Sequence, residues 1–204
     1  MAFEYYTKTL AKELYQKSLI PDSEARLDTT IKYYSEQEIW YIMESLVSLT
    51  RTFKQSGYCH GDIQPSNIVI EENGFIKLFD NSLINYSKNG YLKMVYSSTY
   101  TSALSPQLLE ALKTRELKPI HDPVKSDIFA IGITTLCAAT NLEVDDFYDW
   151  RNKEILYNRI KDAFIAMRHH RFSEQLINKI DSCLEVQEER RAGNEDLYQF
   201  LTEH

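Results

Sequence analysis

Three residues with oxygen-bearing side chains, Asp62, Asn67 and Asp80, are the strongest candidates for chemistry in this sequence. The first two belong to the polar segment His60-Gly61-Asp62-Ile63-Gln64-Pro65-Ser66-Asn67, and the third follows a short apolar run. Carboxylate and amide oxygens are the ligands that Mg²⁺ takes in proteins. The same residue types also cap turns, so the segment alone is compatible with an ordinary turn as well as with a reactive site.

The sequence on either side of this segment predicts the elements that would hold it. Residues 35–56 carry apolar side chains at helical spacing, and a capping-box pattern begins at Ser35. Two short apolar runs, 68–70 and 75–79, flank Asn73-Gly74, which predicts a β-hairpin. The candidate residues are therefore expected between a long helix and a hairpin.

Most of the remaining sequence predicts helices. Residues 127–140 are apolar on nearly every side, which is typical of a helix surrounded by protein. Residues 81–103 are polar with weak periodicity and predict a long loop, a kind of segment that is often functional. Further helices are predicted at about 7–18, from Pro106, and at about 152–167, 173–184 and 194–203. Together these elements predict a mainly α domain, a helical bundle around a buried central helix with one small β-hairpin.

The segment 60–67 resembles the catalytic loop of protein kinases, His-Arg-Asp-x-x-x-x-Asn. Its setting is similar too, since a helix precedes it, a hairpin follows it, and Asp80 comes just after the second strand. The resemblance implies that Asp62 orients the substrate hydroxyl and accepts its proton. It implies that Asn67 and Asp80 hold magnesium on the phosphates.

Further segments resemble the same family in the same order. Ser105-Pro106-Gln107 stands where the family has Ala-Pro-Glu, and Lys125-Ser126-Asp127 is similar to the start of its buried central helix. The resemblance implies structural roles for three residues: His60 in the loop, Asp127 as the anchor of the turn at His60, and Arg191 before the last helix. It implies a kinase-like domain over 1–204, with a hinge near 3–6, a catalytic loop at 60–67, an activation segment at 80–107 and a helical subdomain at 108–204.

The parts that hold the nucleotide in kinases have no counterpart in this sequence. If Glu4-Tyr5-Tyr6 is the hinge between lobes, almost nothing precedes it, and the first glycine is Gly57. We therefore expect the C-terminal lobe alone, with the N-terminal lobe absent. Phosphoryl transfer depends on positioning and electrostatic stabilisation, and loss of that lobe would remove much of both.

Several motif positions also depart from the family pattern. Gln64 stands where a lysine usually contacts the transferred phosphate, Asn81-Ser82 replaces Phe-Gly, and Gly61 replaces an arginine. Gln107 replaces the glutamate that pairs with the late arginine. An unpaired buried Arg191 would be costly, so we expect it to find another acceptor or to reach solvent.

Composition limits the classes of partner. A net charge of −7 argues against a nucleic-acid partner, and the compact basic cluster 168–171 is expected to be a solvated helix face. The sequence shows neither a signal-peptide pattern nor an apolar run of membrane-spanning length. Three dispersed cysteines predict reduced thiols. We expect an intracellular, cytoplasmic protein associated with a complex or the cytoskeleton, and no membrane partner.

These departures favour binding over catalysis. The leading hypothesis is a catalytically inactive pseudokinase lobe, not an enzyme, that acts as a scaffold component of a larger assembly. Its protein partners would dock on the cleft face around Tyr5, Tyr6, Ile68 and Phe79. No cofactor is expected, and Asn67 and Asp80 would be vestigial, weak Mg²⁺ ligands.

Two alternatives stay open at the level of sequence. The first is a protein Ser/Thr kinase whose small lobe comes from another chain or is missing from a truncated gene; it would use Mg–ATP, weakly bound. The second is a small-molecule phosphotransferase, because His60-Gly61-Asp62 also occurs in distant relatives of that kind.

Overall fold

The computed structural model describes residues 8–21, 23, 32–79, 90–97 and 99–203. Its helices, in chain order, are α1 Leu10–Ser18, α2 Glu36–Gln55, α3 Gly90–Tyr96, α4 Pro106–Thr114, α5 Pro123–Thr140, α6 Tyr157–His169, α7 Glu174–Cys183 and α8 Asn194–Glu203. Its strands are β1 Ile68–Ile70, β2 Ile76–Leu78, β3 Tyr148–Asp149 and β4 Glu154–Ile155. Short 3₁₀ helices cover Pro65–Asn67 and Val144–Phe147.

Helix α5 is the buried centre of the fold, as its uniformly apolar sequence predicts. Every residue from Ser126 to Ala139 is buried, and α2, α6, α7 and α8 pack against the helix. The helix begins at Pro123 rather than at 127, because Asp122 caps its first turn by accepting from the amides of Val124 and Lys125. The predicted central helix is confirmed, with one more turn than expected.

Helix α2 and the first hairpin frame the candidate site. The predicted capping box is present, since the Ser35 amide donates to Glu38 Oε2 at 2.7 Å and the Glu38 amide donates to Ser35 Oγ at 3.3 Å. Strands β1 and β2 pair antiparallel, with Ile68 opposite Leu78. Gly74 has a φ of +84°, the conformation for which a glycine is needed in this turn.

The structure corrects two sequence predictions about local structure. Helix α3 lies inside the segment 81–103 that was predicted to be a loop, and it buries Gly90 and Tyr91 against the rest of the domain. A second hairpin, β3–β4, interrupts the predicted helical subdomain at 108–204, so α6 starts at Tyr157 rather than near 152. Both short elements depend on tertiary contacts and local turns, which periodicity does not report.

One of the residues assigned to the predicted docking face is not exposed. Ile68 is fully buried, so it contributes nothing to an exposed cleft face. Phe79 is 38% exposed at the end of the hairpin, while Tyr5 and Tyr6 lie outside the described residues. Within the described ranges, the structure contains no helix of the length and apolar character needed to cross a membrane.

Candidate active site

Helix α5 anchors the loop that carries Asp62 and Asn67. Asp127, in the first turns of α5, accepts from the backbone amides of His60 and Gly61, each at 2.8 Å. Gly61 has a φ of +72°, a conformation that suits glycine at this bend. Burial raises the pKa of the Asp127 carboxyl to about 7, while the two amide donors act in the opposite direction. The contact implied by the resemblance between Asp127 and the turn at His60 is present.

Asp62 lies at the centre of a dense set of hydrogen bonds. Its side chain is 5% exposed. The Oδ1 atom accepts from Ser102 Oγ at 2.8 Å and from Gln64 Nε2 at 3.1 Å. The Oδ2 atom accepts from Tyr100 OH at 2.5 Å and from Lys93 Nζ at 2.6 Å. The carboxylate is thus held by its own loop on one oxygen and by the segment 93–102 on both.

The pKa values of Lys93 and Tyr100 are both raised, in part by their contact with the Asp62 carboxylate. Burial lowers the pKa of Lys93, but the hydrogen bond and the charge of Asp62 outweigh it, so the pKa is raised and the amine stays charged. Burial and the same Asp62 contact raise the pKa of Tyr100, which therefore donates as a neutral hydroxyl. From the described residues, Asp62 consequently receives one cationic and three neutral donors.

Asn67 reinforces the loop from its C-terminal end. Its Nδ2 atom donates to the Asp62 carbonyl oxygen at 2.7 Å, and its side chain is buried. This bond commits the amide nitrogen, so the amide oxygen is the atom that could ligate a cation. Oxygen ligands fit Mg²⁺, and Asn67 with Asp80 would supply them. Asp80, like Asn81 and Ser82, lies outside the described residues.

Arg191 is buried and is well supplied with acceptors, as predicted. Only 1% of it is exposed. Its guanidinium donates to the carbonyl oxygens of Glu185 at 2.9 Å and Lys125 at 3.0 Å, and to Gln107 Oε1 at 3.0 Å. Gln107 therefore still pairs with Arg191 through a neutral amide. This arrangement ties the start of α4 to the segment before α8.

Sequence reasoning missed three of the four side chains on Asp62. Lys93, Tyr100 and Ser102 all lie in the segment 81–103, where composition predicted a loop without assigning chemistry to any residue. The polar composition of that segment was the one available signal. It gave no pairing, because the contacts span 31 to 40 positions along the chain.

Comparison with known proteins now fixes the family. The family model described as "Protein kinase domain" matches residues 1–201. This chain belongs to the protein kinase family. The fold agrees, since the kinase domain superposes on a crystal structure of Rad53 with AMP-PNP at a TM-score of 0.60, covering 97% of this chain and 44% of that one at 15% identity.

Several curated relatives are similar in sequence. The membrane-associated tyrosine- and threonine-specific cdc2-inhibitory kinase wee-1.3 of Caenorhabditis briggsae is 30% identical over 148 residues, which cover 71% of this chain and 21% of that protein. The dual specificity protein kinase zak2 of Dictyostelium discoideum is 24% identical over 169 residues, covering 80% of this chain and 23% of that protein. This kinase domain thus spans about a fifth of the length of these relatives.

The prediction of a catalytically inactive pseudokinase is wrong. The relatives are named as kinases, and the matching family model is that of the protein kinase domain. The prediction rested on the missing nucleotide-binding lobe and on altered motif positions, one of which, Gln64, was taken as a lost positive charge. The structure instead places Lys93 on the carboxylate of Asp62, so the site holds a cation after all.

Proposed function

We propose that this domain is the large lobe of a protein kinase that transfers a phosphoryl group to a Ser or Thr hydroxyl of a protein. The observation that carries the proposal is the convergence of Asp62 and Asn67 in one anchored loop. Asp127 fixes the loop backbone at 2.8 Å, and Asn67 ties its far end to the Asp62 carbonyl. A catalytic carboxylate must be held in place by such supporting contacts.

In this proposal Asp62 orients the substrate hydroxyl and accepts its proton as the oxygen attacks phosphorus. The hydroxyl would replace one neutral donor on Asp62, either Ser102 or Tyr100, so one hydroxyl is exchanged for another. Asn67 and Asp80 would hold magnesium with ATP, and the metal would supply charge neutralisation on the phosphates. The chain's own residues contribute position, a proton acceptor and exclusion of water.

We further propose that a nucleotide-binding small lobe completes this domain, either as another part of a longer polypeptide or as a protein partner on a second chain. The domain spans about a fifth of the relatives it matches, which leaves most of their length in other segments. Phe79 precedes Asp80 in the sequence and is 38% exposed, so its side chain is one that such a lobe would cover.

The proposal is tested by labelling with Mg²⁺ and γ-³²P-ATP, using the full polypeptide and a general protein substrate. Replacing Asp62→Asn keeps the shape of the side chain but removes the proton acceptor, and it should lower phosphate transfer by roughly 100-fold or more. Asp162→Asn, on the exposed side of α6, is the matched control and should transfer at the wild-type rate. Equal transfer by wild type and Asp62→Asn would refute the role of Asp62. No transfer by the wild-type polypeptide, assayed together with any chain that co-purifies with it, would refute the proposed phosphoryl transfer.

A further inference from the structure

Asp62 is a buried carboxylate whose own loop gives it no cation. Gln64, at the position where the family pattern has lysine, supplies a neutral amide to Oδ1 at 3.1 Å. Tyr100 and Ser102 supply neutral hydroxyls. A carboxylate that is 5% exposed needs a counter-ion, because desolvation of an unpaired charge is expensive.

Lys93 meets this need from a different element. Its Nζ lies 2.6 Å from Asp62 Oδ2 and 3.4 Å from Tyr100 OH, with only 18% of the lysine side chain exposed. It stands on helix α3, 31 positions along the chain from Asp62. We propose that Lys93 supplies the positive charge that Gln64 lacks, as the counter-ion and positioning residue of Asp62, and that a lysine at 64 can replace it.

The seating of α3 supports this assignment. The Gly90 amide donates to the Gly61 carbonyl at 2.9 Å, so the helix begins directly on the catalytic loop. A Cβ atom at 90 would overlap Asp62 Oδ1 and Ser102 Oγ, which shows how closely the backbone approaches the carboxylate. The position of Lys93 beside Asp62 therefore depends on the packing of helix α3 against the loop.

The same contacts allow an opposite reading, in which Lys93 blocks the carboxylate. The donor set favours the supporting role. A carboxylate has about four acceptor positions, and four donors from the part of the chain that the structure describes occupy them. A substrate hydroxyl can replace the hydroxyl of Tyr100 or Ser102 on Asp62, because each donates one neutral hydrogen bond. Displacing Lys93 would leave the negative charge of Asp62 without a counter-ion. Lys93 can thus stay while substrate enters.

Two experiments test the inference. The phosphate-transfer assay rests on the proposed function, whereas urea unfolding tests the role of Lys93 independently of it. Four forms of the full polypeptide are compared: wild type, Lys93→Met, Gln64→Lys and the double variant. In urea, Lys93→Met should lower the unfolding midpoint by roughly 0.5–1 M, and adding Gln64→Lys should restore most of that loss. Lys113→Met is the control, since Lys113 pairs with Glu110 on the exposed side of α4.

In the transfer assay, Lys93→Met should lower kcat by roughly 10- to 100-fold with an unchanged KM for ATP, and the double variant should recover to within about threefold of wild type. Lys93→Arg keeps the positive charge but changes the shape of the side chain, so it should keep most of the activity. A role in packing alone does not predict that result. Failure of Gln64→Lys to restore the urea midpoint would overturn the inference, and so would an increase in kcat for Lys93→Met. If wild type transfers no phosphate even with any co-purifying chain present, the proposed function fails and the urea series still decides the role of Lys93.

Discussion

Asp127 and Asp62 are two buried carboxylates that serve the same loop in different ways. They are equally buried, at 3% and 5% exposure. Asp127 accepts from two backbone amides, whereas Asp62 accepts from four side chains, three of which belong to the segment 93–102. Burial therefore does not distinguish the two residues, but the origin of their donors does.

The difference separates a fixed anchor from an adjustable site. Backbone amides cannot leave Asp127 without unfolding the turn at His60, so that carboxylate fixes the loop. The side chains on Asp62 can change partner while the backbone stays in place, which a carboxylate that must accept a substrate hydroxyl requires. Three substitutions test this contrast, in decreasing order of expected effect on stability.

The largest effect is expected for Asp127→Ala. It leaves the amides of His60 and Gly61 buried without their acceptor, and the free energy of unfolding should fall by about 3 kcal/mol or more. Urea unfolding followed by circular dichroism measures the change. Asp162→Ala, exposed on α6, is the control with no expected change. A loss for Asp127→Ala no larger than that of the control would mean that the loop does not depend on this anchor.

An intermediate effect is expected for Gly90→Ala. The new methyl group would overlap Asp62 Oδ1 and Ser102 Oγ, so α3 must move away from the loop, at a cost of about 2 kcal/mol. Amide hydrogen exchange across α3 should become faster while exchange in α5 is unchanged. Gly193→Ala is the matched control, because its Cβ meets the flexible Asp196 carboxylate. Unchanged exchange in α3 would show that the helix does not depend on this close approach.

The smallest effect is expected for Ser102→Ala. It removes one neutral donor from Oδ1, which keeps its bond from Gln64, so the free energy of unfolding should fall by about 1 kcal/mol. Ser97→Ala, whose hydroxyl pairs with Thr99 Oγ1 near the surface, is the control. A loss as large as that of Asp127→Ala would remove the distinction between anchor and adjustable site.

Much of the fold could be predicted from local sequence. The uniformly apolar segment that became α5, the capping box of α2 and the Asn-Gly hairpin each carry their signal within a few residues. Helix α3 and the β3–β4 hairpin were missed because they are short and are stabilised by contacts and turns rather than by a repeated apolar pattern. Sequence periodicity needs more than two turns to become visible.

The candidate site was predictable only where its signal is local. The spacing of Asp62 and Asn67 within one loop marks their segment, and the resemblance supplied the anchor at Asp127. The pseudokinase prediction relied on the missing nucleotide-holding lobe and on several altered motif positions, and the matches to named protein kinases contradict it. It also took the absence of a lysine at position 64 as a loss of charge beside Asp62. Electrostatic interactions depend on distance in space, and Lys93 reaches Asp62 from another element.

The sequence by itself determined the family, the central helix and the loop that carries Asp62 and Asn67, because these features are encoded by motif, apolar pattern and spacing. Only the tertiary structure decided which side chains surround Asp62 and which cation neutralises it. That outcome depends on how α3 folds back onto the loop, a long-range contact that no local pattern records.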